Sequence, residues 1–142
     1  MTSAAIPAKG GTRSKALHIG LWVAQVLLAL NFGLAGVMKS SQPIAELAKM
    51  MPWAGDIPEL LVRFIGVSEL LGAIALIVPA ATRIKPALTP LAAAGLTTIM
   101  VLAAVFHLQR GETGALPFNI VLGGLAAFVA WGRWKKAPIA PR

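Results

Sequence analysis

The sequence predicts an all-α integral membrane protein, a four-helix bundle with an extracytoplasmic amphipathic loop between helices 1 and 2. Three observations predict this fold class. Of the 142 residues, 57% are hydrophobic and 13% are charged, whereas soluble domains are about 45–50% apolar and about 25% charged. Four apolar segments are each long enough to cross about 30 Å of hydrocarbon. Most Lys and Arg residues flank these segments, where they set orientation and meet lipid headgroups.

The first predicted helix covers about residues 17–38 and follows a flexible N-terminal segment, residues 1–16. The basic residues of that segment precede an apolar run, as they do in a signal peptide. The run is 22 residues long, however, and the apolar region of a signal peptide has only about 7–15. We therefore expect a retained transmembrane helix, which ends near Lys39 because the ring of Pro43 stops its continuation.

The longest loop connects the first and second helices and contains a short amphipathic segment. Four apolar residues in it follow the i, i+3, i+4, i+7 spacing of one helix face: Ile44, Leu47, Ala48 and Met51. Such a helix is expected to lie at the membrane surface. Trp53 follows it, and an indole ring suits the interface between lipid and water.

The remaining three helices are predicted from apolar runs at about residues 60–78, 88–108 and 116–134. Pro79 is expected to stop the second helix, because proline lacks the backbone N–H that the helix needs. Residues 17–134 thus form one four-helix domain, and residues 135–142 form a basic tail.

The distribution of basic residues predicts the orientation. Nine of the thirteen Lys and Arg residues lie on the side of the termini, and four lie on the other side: Lys39, Lys49, Arg63 and Arg110. The positive-inside rule therefore places both termini in the cytoplasm and the amphipathic loop outside. Despite a net charge of +8, nucleic acid is not an expected partner, because no basic stripe with interleaved aromatic residues is present.

Polar residues inside the apolar segments indicate the candidate site. Glu69 lies nine residues beyond Leu60, roughly 14 Å down the second helix, where a charge costs about 2.5–3.5 kcal/mol. Five further polar residues fall at similar depth in the outer half: Asn31, Lys39, Arg63, His107 and Asn119. We expect all six to converge on one polar pocket, roofed by the amphipathic loop. Glu69 either serves function there or forms a buried pair with Arg63, Lys39 or His107 that only fixes helix packing.

Known catalytic motifs do not identify a reaction. The chain lacks HExxH, P-loop, GxGxxG and GxSxG motifs, and it has no cysteine for a disulfide or a thiolate site. Its two histidines, His18 and His107, are expected at opposite membrane faces, which does not favour a shared metal or haem. No metal site is predicted, and without a self-contained catalytic motif the sequence leaves open whether the protein is an enzyme.

Several motifs along the chain resemble those of one known family. They are GLAGVMKS at the end of the first helix, IGVSELLGAIALIVP around Glu69, the turn RIKPALTPLAA, the exit FHLQRGE, and Asn119 in the fourth helix. In this order they are similar to the DoxX-like family of small bacterial membrane proteins, over residues 17–134. The resemblance implies a multi-pass bundle in the bacterial cytoplasmic membrane, related to proteins named for a thiosulfate:quinone oxidoreductase subunit. Glu69, Arg63, His107 and Asn119 match positions of this pattern, to which no roles are assigned.

Three functions remain open at this point. The first is a membrane subunit that binds a quinone or similar amphiphile, with Glu69 or His107 exchanging a proton and a membrane or periplasmic redox partner supplying electrons. The second is a structural or partner-binding membrane protein in which Glu69 is an assembly device. The third is a small proton-coupled transporter, although the small multidrug exporters carry their glutamate in the first helix. Small residues on the second and fourth helices fit a homo-oligomer as well as internal packing.

Overall fold

The computed structural model describes residues 11–142, with side chains from Lys15 onward, and this part of the chain contains helices and no strand. Five helices follow one another: α1 (Gly11–Ser41), α2 (Ile44–Met50), α3 (Glu59–Thr82), α4 (Leu88–Gln109) and α5 (Leu116–Trp131). Two short 3-10 turns, Pro52–Gly55 and Thr113–Ala115, precede α3 and α5, and a π-helical turn, Gly132–Lys136, extends α5.

Four segments of the described chain are long and apolar enough to span a membrane: Lys15–Ser41, Glu59–Thr82, Leu88–Gln109 and Thr113–Lys136. Large apolar side chains cover the outside of the bundle, as the 67% exposure of both Leu30 and Ile120 illustrates. A surface of this kind is stable only against lipid, so the predicted helical membrane bundle is confirmed. We call the end formed by residues 42–58 and 110–115 the loop end. The end formed by residues 83–87 and 132–142 is the tail end.

The bundle is built from two helix pairs, α1 with α3 and α4 with α5. Within the first pair the backbones touch at two glycines. A Cβ added at Gly36 would lie 2.6 Å from the backbone nitrogen of Leu70, and one at Gly66 would lie 2.6 Å from that of Ser40. Small residues allow such close approach between membrane helices. This contact fixes how the end of α1 faces the first half of α3.

The two pairs pack tightly against each other in the half of the bundle next to the tail end. There Gly72 of α3 lies against Leu96 of α4, and Gly132 lies against Leu21 of α1, so closely that a Cβ would meet their side chains at 2.8 and 2.5 Å. The main core runs through this half and includes the fully buried Leu76. The tail half therefore closes the bundle.

The segment between α1 and α3 packs on the loop end. Leu47 of α2 is completely buried and forms a small separate core with Ala54 and Val62, while Glu46 and Lys49 on the opposite face of α2 are exposed. The apolar face predicted for this segment is thus turned onto the protein, and the segment covers the end of the bundle.

Helix boundaries differ from the expected ones at two places. Helix α3 does not stop before Pro79 but continues to Thr82. Proline leaves the carbonyl of Ala75 without its intrahelical donor, and the hydroxyl of Thr89 donates to that oxygen at 2.9 Å, which is how membrane helices tolerate proline. Helix α1 begins at Gly11, so part of the segment predicted to be flexible is helical, and residues 1–10 lie outside the described part.

Candidate functional site

A buried ion pair joins α1 to α3. Lys39 Nζ donates to both carboxylate oxygens of Glu69, at 2.9 Å to Oε1 and 3.1 Å to Oε2. The side chains of Lys39 and Glu69 are 11% and 2% exposed. Of the three partners that the sequence left open for Glu69, the structure pairs it with Lys39. The pair is adjacent to Gly66, one helical turn before Glu69, where the two backbones touch.

Two neighbours hold Lys39 in this position. The ring centroid of Trp53 lies 5.5 Å from Lys39 Nζ, within the range of a cation–π interaction. Arg63 Nη1 donates to the backbone oxygen of Lys39 at 2.9 Å, and Arg63 Nη2 lies 3.1 Å from Glu59 Oε1. One of the predicted alternatives paired Arg63 with Glu69. In the structure Arg63 instead binds the last turn of α1, whose carbonyls lack intrahelical donors.

A cavity of about 790 Å³ borders the ion pair in the half of the bundle next to the loop end. Apolar side chains from all four spanning helices form most of its wall, and the segment Met50–Trp53 covers it. The polar groups in the wall include five of the six predicted site residues: Asn31, Lys39, Glu69, His107 and Asn119. The sixth, Arg63, lies behind Lys39 and does not line the cavity.

Two buried polar atoms at this cavity have no hydrogen-bond partner. They are Nδ1 of His107 and Nδ2 of Asn119. The nearest carboxylate oxygen to His107 Nδ1 is Oε1 of Glu112 at 3.6 Å, which is too long for a hydrogen bond. Buried groups of this kind cost about 1–3 kcal/mol when they remain unpaired. They are the natural positions for a ligand to accept or donate a hydrogen bond.

An aromatic cluster stands at the loop end of the cavity. Trp53, Phe106 and His107 meet edge to face, with ring centroids 5.7–6.4 Å apart. Edge-to-face contacts of this geometry are favourable. They fix the indole ring between the ammonium group of Lys39 and the imidazole of His107.

The cavity reaches the outer surface of the bundle. Four of its lining side chains are also among the exposed large apolar residues: Leu34, Phe64, Leu102 and Phe118, which are 65%, 68%, 64% and 58% exposed. In a membrane these side chains face lipid. An apolar molecule dissolved in the bilayer can therefore contact the cavity without passing through water.

An exposed ion-pair network connects the two loops that border the cavity. Arg110 Nη2 lies 2.7 Å from Asp56 Oδ2, and Arg110 Nε is also paired with Glu112. The hydrogen bond that Arg110 donates to Asp56, and next the one it donates to Glu112, raise the pKa of Arg110 above its ordinary value. These hydrogen bonds stabilise the charged guanidinium, which joins the two loops.

A second buried polar network, at the tail end, was not predicted. Arg133 is 3% exposed, whereas the sequence suggested a cytoplasmic flanking charge. Its guanidinium donates from Nε to Gln25 Oε1 at 2.7 Å and contacts Nδ1 of His18 at 2.9 Å. Gln25 Nε2 in turn donates to the Leu76 oxygen at 2.6 Å. The spacing of His18, Trp22 and Gln25 at i, i+4 and i+7 places them on one face of α1 and could have revealed this network.

The described residues include no group of three or more His, Cys, Asp or Glu side chains arranged to hold a metal ion. The polar groups at the cavity are instead single hydrogen-bonding and ionisable side chains, which suit an organic ligand.

Four membrane-spanning segments around a cavity define a multi-pass α-helical membrane protein. A model of the DoxX-like family matches residues 23–129, which is 107 of the 142 residues. The chain belongs to the DoxX-like family, and the resemblance found in the sequence is confirmed. Comparisons with curated proteins and with solved structures gave no match.

Proposed function

We propose that the cavity in the loop half binds an amphiphilic ring compound of the quinone class, and that the protein acts as a membrane subunit of a redox complex. The observation that carries this proposal is the cavity of about 790 Å³ that is open to the lipid-facing surface and contains two unpaired buried polar atoms. Ligand sites are typically apolar with a few placed polar groups, and their volumes are about 300–1,000 Å³. The cavity falls inside this range.

The polar groups suit the two ring oxygens of a quinone. Asn119 Nδ2 is a donor for a carbonyl oxygen, and His107 Nδ1 is a second donor in the tautomer that carries its proton there. Reduction of a quinone to the quinol takes up two electrons and two protons. In this proposal a partner protein supplies both electrons, and both protons are taken up from water at the loop end and transferred one after the other through His107.

The Lys39–Glu69 pair supports a second candidate, a structural or partner-binding membrane protein. Both carboxylate oxygens of Glu69 are occupied by the ammonium group, and the pair lies next to the glycine contact between α1 and α3. Such a pair can fix one helix arrangement without any reaction. A proton-coupled transporter has less support. Its essential acid must be free to bind and release a proton, whereas the carboxylate of Glu69 is held by Lys39.

We include in this proposal the membrane orientation that the sequence predicts. With both termini in the cytoplasm, the cavity lies in the extracytoplasmic half of the bacterial cytoplasmic membrane, where a periplasmic redox partner can reach the loop end. A topology reporter fused after Arg142 tests this orientation, and activity of an extracytoplasmic reporter at that position would contradict it.

The experiment compares small molecules extracted from gently purified wild-type protein, Asn119→Leu and His107→Phe. These two changes remove one unpaired donor each and leave the ion pair intact, and His107→Phe keeps an aromatic ring in the cluster. We expect mass spectrometry to find a quinone in the wild type and about two- to thirteenfold less in each variant, which corresponds to one hydrogen bond of about 0.5–1.5 kcal/mol.

Thr98→Val is the matched control, because the exposed Thr98 hydroxyl bonds only to Ala94 of its own helix. This variant should retain the ligand at the level of the wild type. Identical profiles of lipid alone in all four proteins, with no uptake of an added quinone, would reject the proposal and favour the structural candidate.

A further inference from the structure

Charge is distributed unequally between the two ends of the molecule. All five acidic residues of the chain lie in the loop half, and each takes part in an ion pair there: Glu46, Asp56, Glu59, Glu69 and Glu112. Their partners are the four basic residues of that half, so five acidic side chains face four basic ones and the net side-chain charge is −1. The other nine basic residues lie toward the tail end, and the seven of them whose side chains the structure describes form no ion pair with an acidic side chain: Lys15, Arg83, Lys85, Arg133, Lys135, Lys136 and Arg142.

Arg133 is the buried member of this unpaired group. Besides its bonds to Gln25 and His18, its Nη1 donates to the oxygen of Ala137 at 3.0 Å, and its guanidinium carbon lies 5.6 Å from the ring centroid of Trp22. All of these partners are neutral. A buried guanidinium without an anion is costly in a membrane bundle, which indicates that a negative group binds nearby.

A cleft of about 310 Å³ lies beside Arg133, between the start of α1 and the chain after α5. It is lined by Lys15, His18, Ile19, Ala137 and Pro138. His18 and Ala137 contact both the cleft and the guanidinium of Arg133. Because His18 Nδ1 accepts from Arg133, the neutral imidazole carries its proton on Nε2, where it can donate to a ligand.

The cleft lies at the depth of lipid headgroups. Two exposed tryptophans, Trp131 and Trp134, mark the membrane interface at this end. Lys135 and Lys136 follow them and are exposed. Basic pockets between membrane helices at this depth suit acidic headgroups.

We propose that this cleft binds the phosphate group of an anionic lipid headgroup. The ammonium of Lys15 and the Nε2–H of His18 contact the phosphate, and Arg133 is a positioning residue that orients His18 and contributes positive potential behind it. A free phosphate offers the same chemistry, so the test includes inorganic phosphate. The site is separate from the loop-half cavity and does not depend on the function proposed for it.

The test measures binding of phosphatidylglycerol and of phosphatidylcholine to the full-length protein in detergent by native mass spectrometry, and reports the ratio of the two affinities. We expect the wild type to prefer phosphatidylglycerol, and Lys15→Gln to reduce the ratio about fivefold. His18→Asn keeps an acceptor for Arg133, removes the Nε2–H donor, and should reduce the ratio as well. A purely structural role of Arg133 or His18 would lower both affinities equally and leave the ratio unchanged.

Lys49→Gln is the matched control, since it removes one exposed Lys charge at the opposite end of the molecule. Its ratio should equal that of the wild type. Competition by inorganic phosphate as strong as that by phosphatidylglycerol would support the site and assign it to a free phosphate. Equal binding of the two lipids to the wild type, or an equal loss in Lys49→Gln and Lys15→Gln, would overturn the proposal.

Discussion

Among the side chains that the structure describes, each half of the bundle has one buried cation, and the two are stabilised in different ways. In the loop half, Lys39 is paired with the carboxylate of Glu69 and borders a cavity of about 790 Å³. In the tail half, Arg133 is surrounded by neutral acceptors where Gly132 packs tightly against α1. The first cation has a carboxylate partner and lies beside a large cavity between the helices, whereas the second has no anionic partner and lies where the helix pairs pack closely.

This difference indicates a division of tasks. In the tail half the two helix pairs pack closely at two places, where Gly72 contacts Leu96 and Gly132 contacts Leu21. These contacts hold the four helices together. The loop half can then remain open between the same helices without losing the bundle. An open half with unpaired polar atoms suits a ligand from the membrane, and a closed half with unbalanced positive charge suits the membrane's anionic surface.

The largest expected effect comes from breaking the ion pair of the loop half. Glu69→Gln leaves the ammonium of Lys39 buried without a counter-charge. Removal of one partner of a buried pair typically costs about 3–5 kcal/mol. We expect a loss of this size in the free energy of unfolding, measured by denaturant titration in mixed micelles.

Two further variants test whether the loss is due to the unpaired charge. Replacing both partners, with Lys39→Met and Glu69→Leu together, should recover most of the stability, since buried pairs can be exchanged for apolar side chains at little cost. Glu46→Gln breaks the exposed pair with Lys49 and should change stability by at most about 1 kcal/mol. A Glu69→Gln protein as stable as Glu46→Gln would show that the buried pair does not hold the helices.

A smaller effect is expected from the cation of the tail half. Arg133→Met leaves acceptors of Gln25, His18 and Ala137 without their donor, but none of them is charged. Unsatisfied neutral groups cost about 1–3 kcal/mol, so the same titration should show a smaller loss than for Glu69→Gln. Lys135→Met is the control, because Lys135 is exposed at the same end. If Arg133→Met lowered the free energy of unfolding more than Glu69→Gln does, the buried cation of the tail half would contribute more to stability than the ion pair of the loop half.

The sequence predicted the four spans because their length and apolar content decide that property directly. Depth follows from distance along a helix, and five of the six polar residues expected at this depth line the cavity, whereas Arg63 lies behind Lys39. It did not decide which cation pairs with Glu69, because these helices are apolar on all sides and their rotation cannot be derived from periodicity. The close approach of the α1 and α3 backbones at Gly36 and Gly66 sets that rotation and turns Lys39 toward Glu69.

The sequence also did not predict the burial of Arg133 or the continuation of α3 past Pro79, because both depend on contacts between residues that are far apart in the chain. Arg133 was expected among the flanking charges, since basic residues after an apolar segment usually meet water and headgroups. The approach of α1 at Gly132 instead encloses its guanidinium. Pro79 was expected to end a helix, as it does when no neighbour can satisfy the freed carbonyl. Thr89 lies 10 positions further along the chain, and only the turn between α3 and α4 brings its hydroxyl to Ala75.

The smallest expected effect tests that last contact, which belongs to the closed half. Thr89→Val keeps the shape of the buried side chain and removes the donor to the Ala75 oxygen. Hydrogen bonds between membrane helices contribute about 0.6 kcal/mol on average and at most about 1.7, so the free energy of unfolding should fall within this range. Thr98→Val, whose hydroxyl bonds only within its own helix, should cause no measurable change. If Thr89→Val is equally neutral, Pro79 is tolerated without help from α4. If instead Thr89→Val lowers the free energy of unfolding as much as Arg133→Met does, this one hydroxyl contributes as much to stability as all the hydrogen bonds of the Arg133 guanidinium.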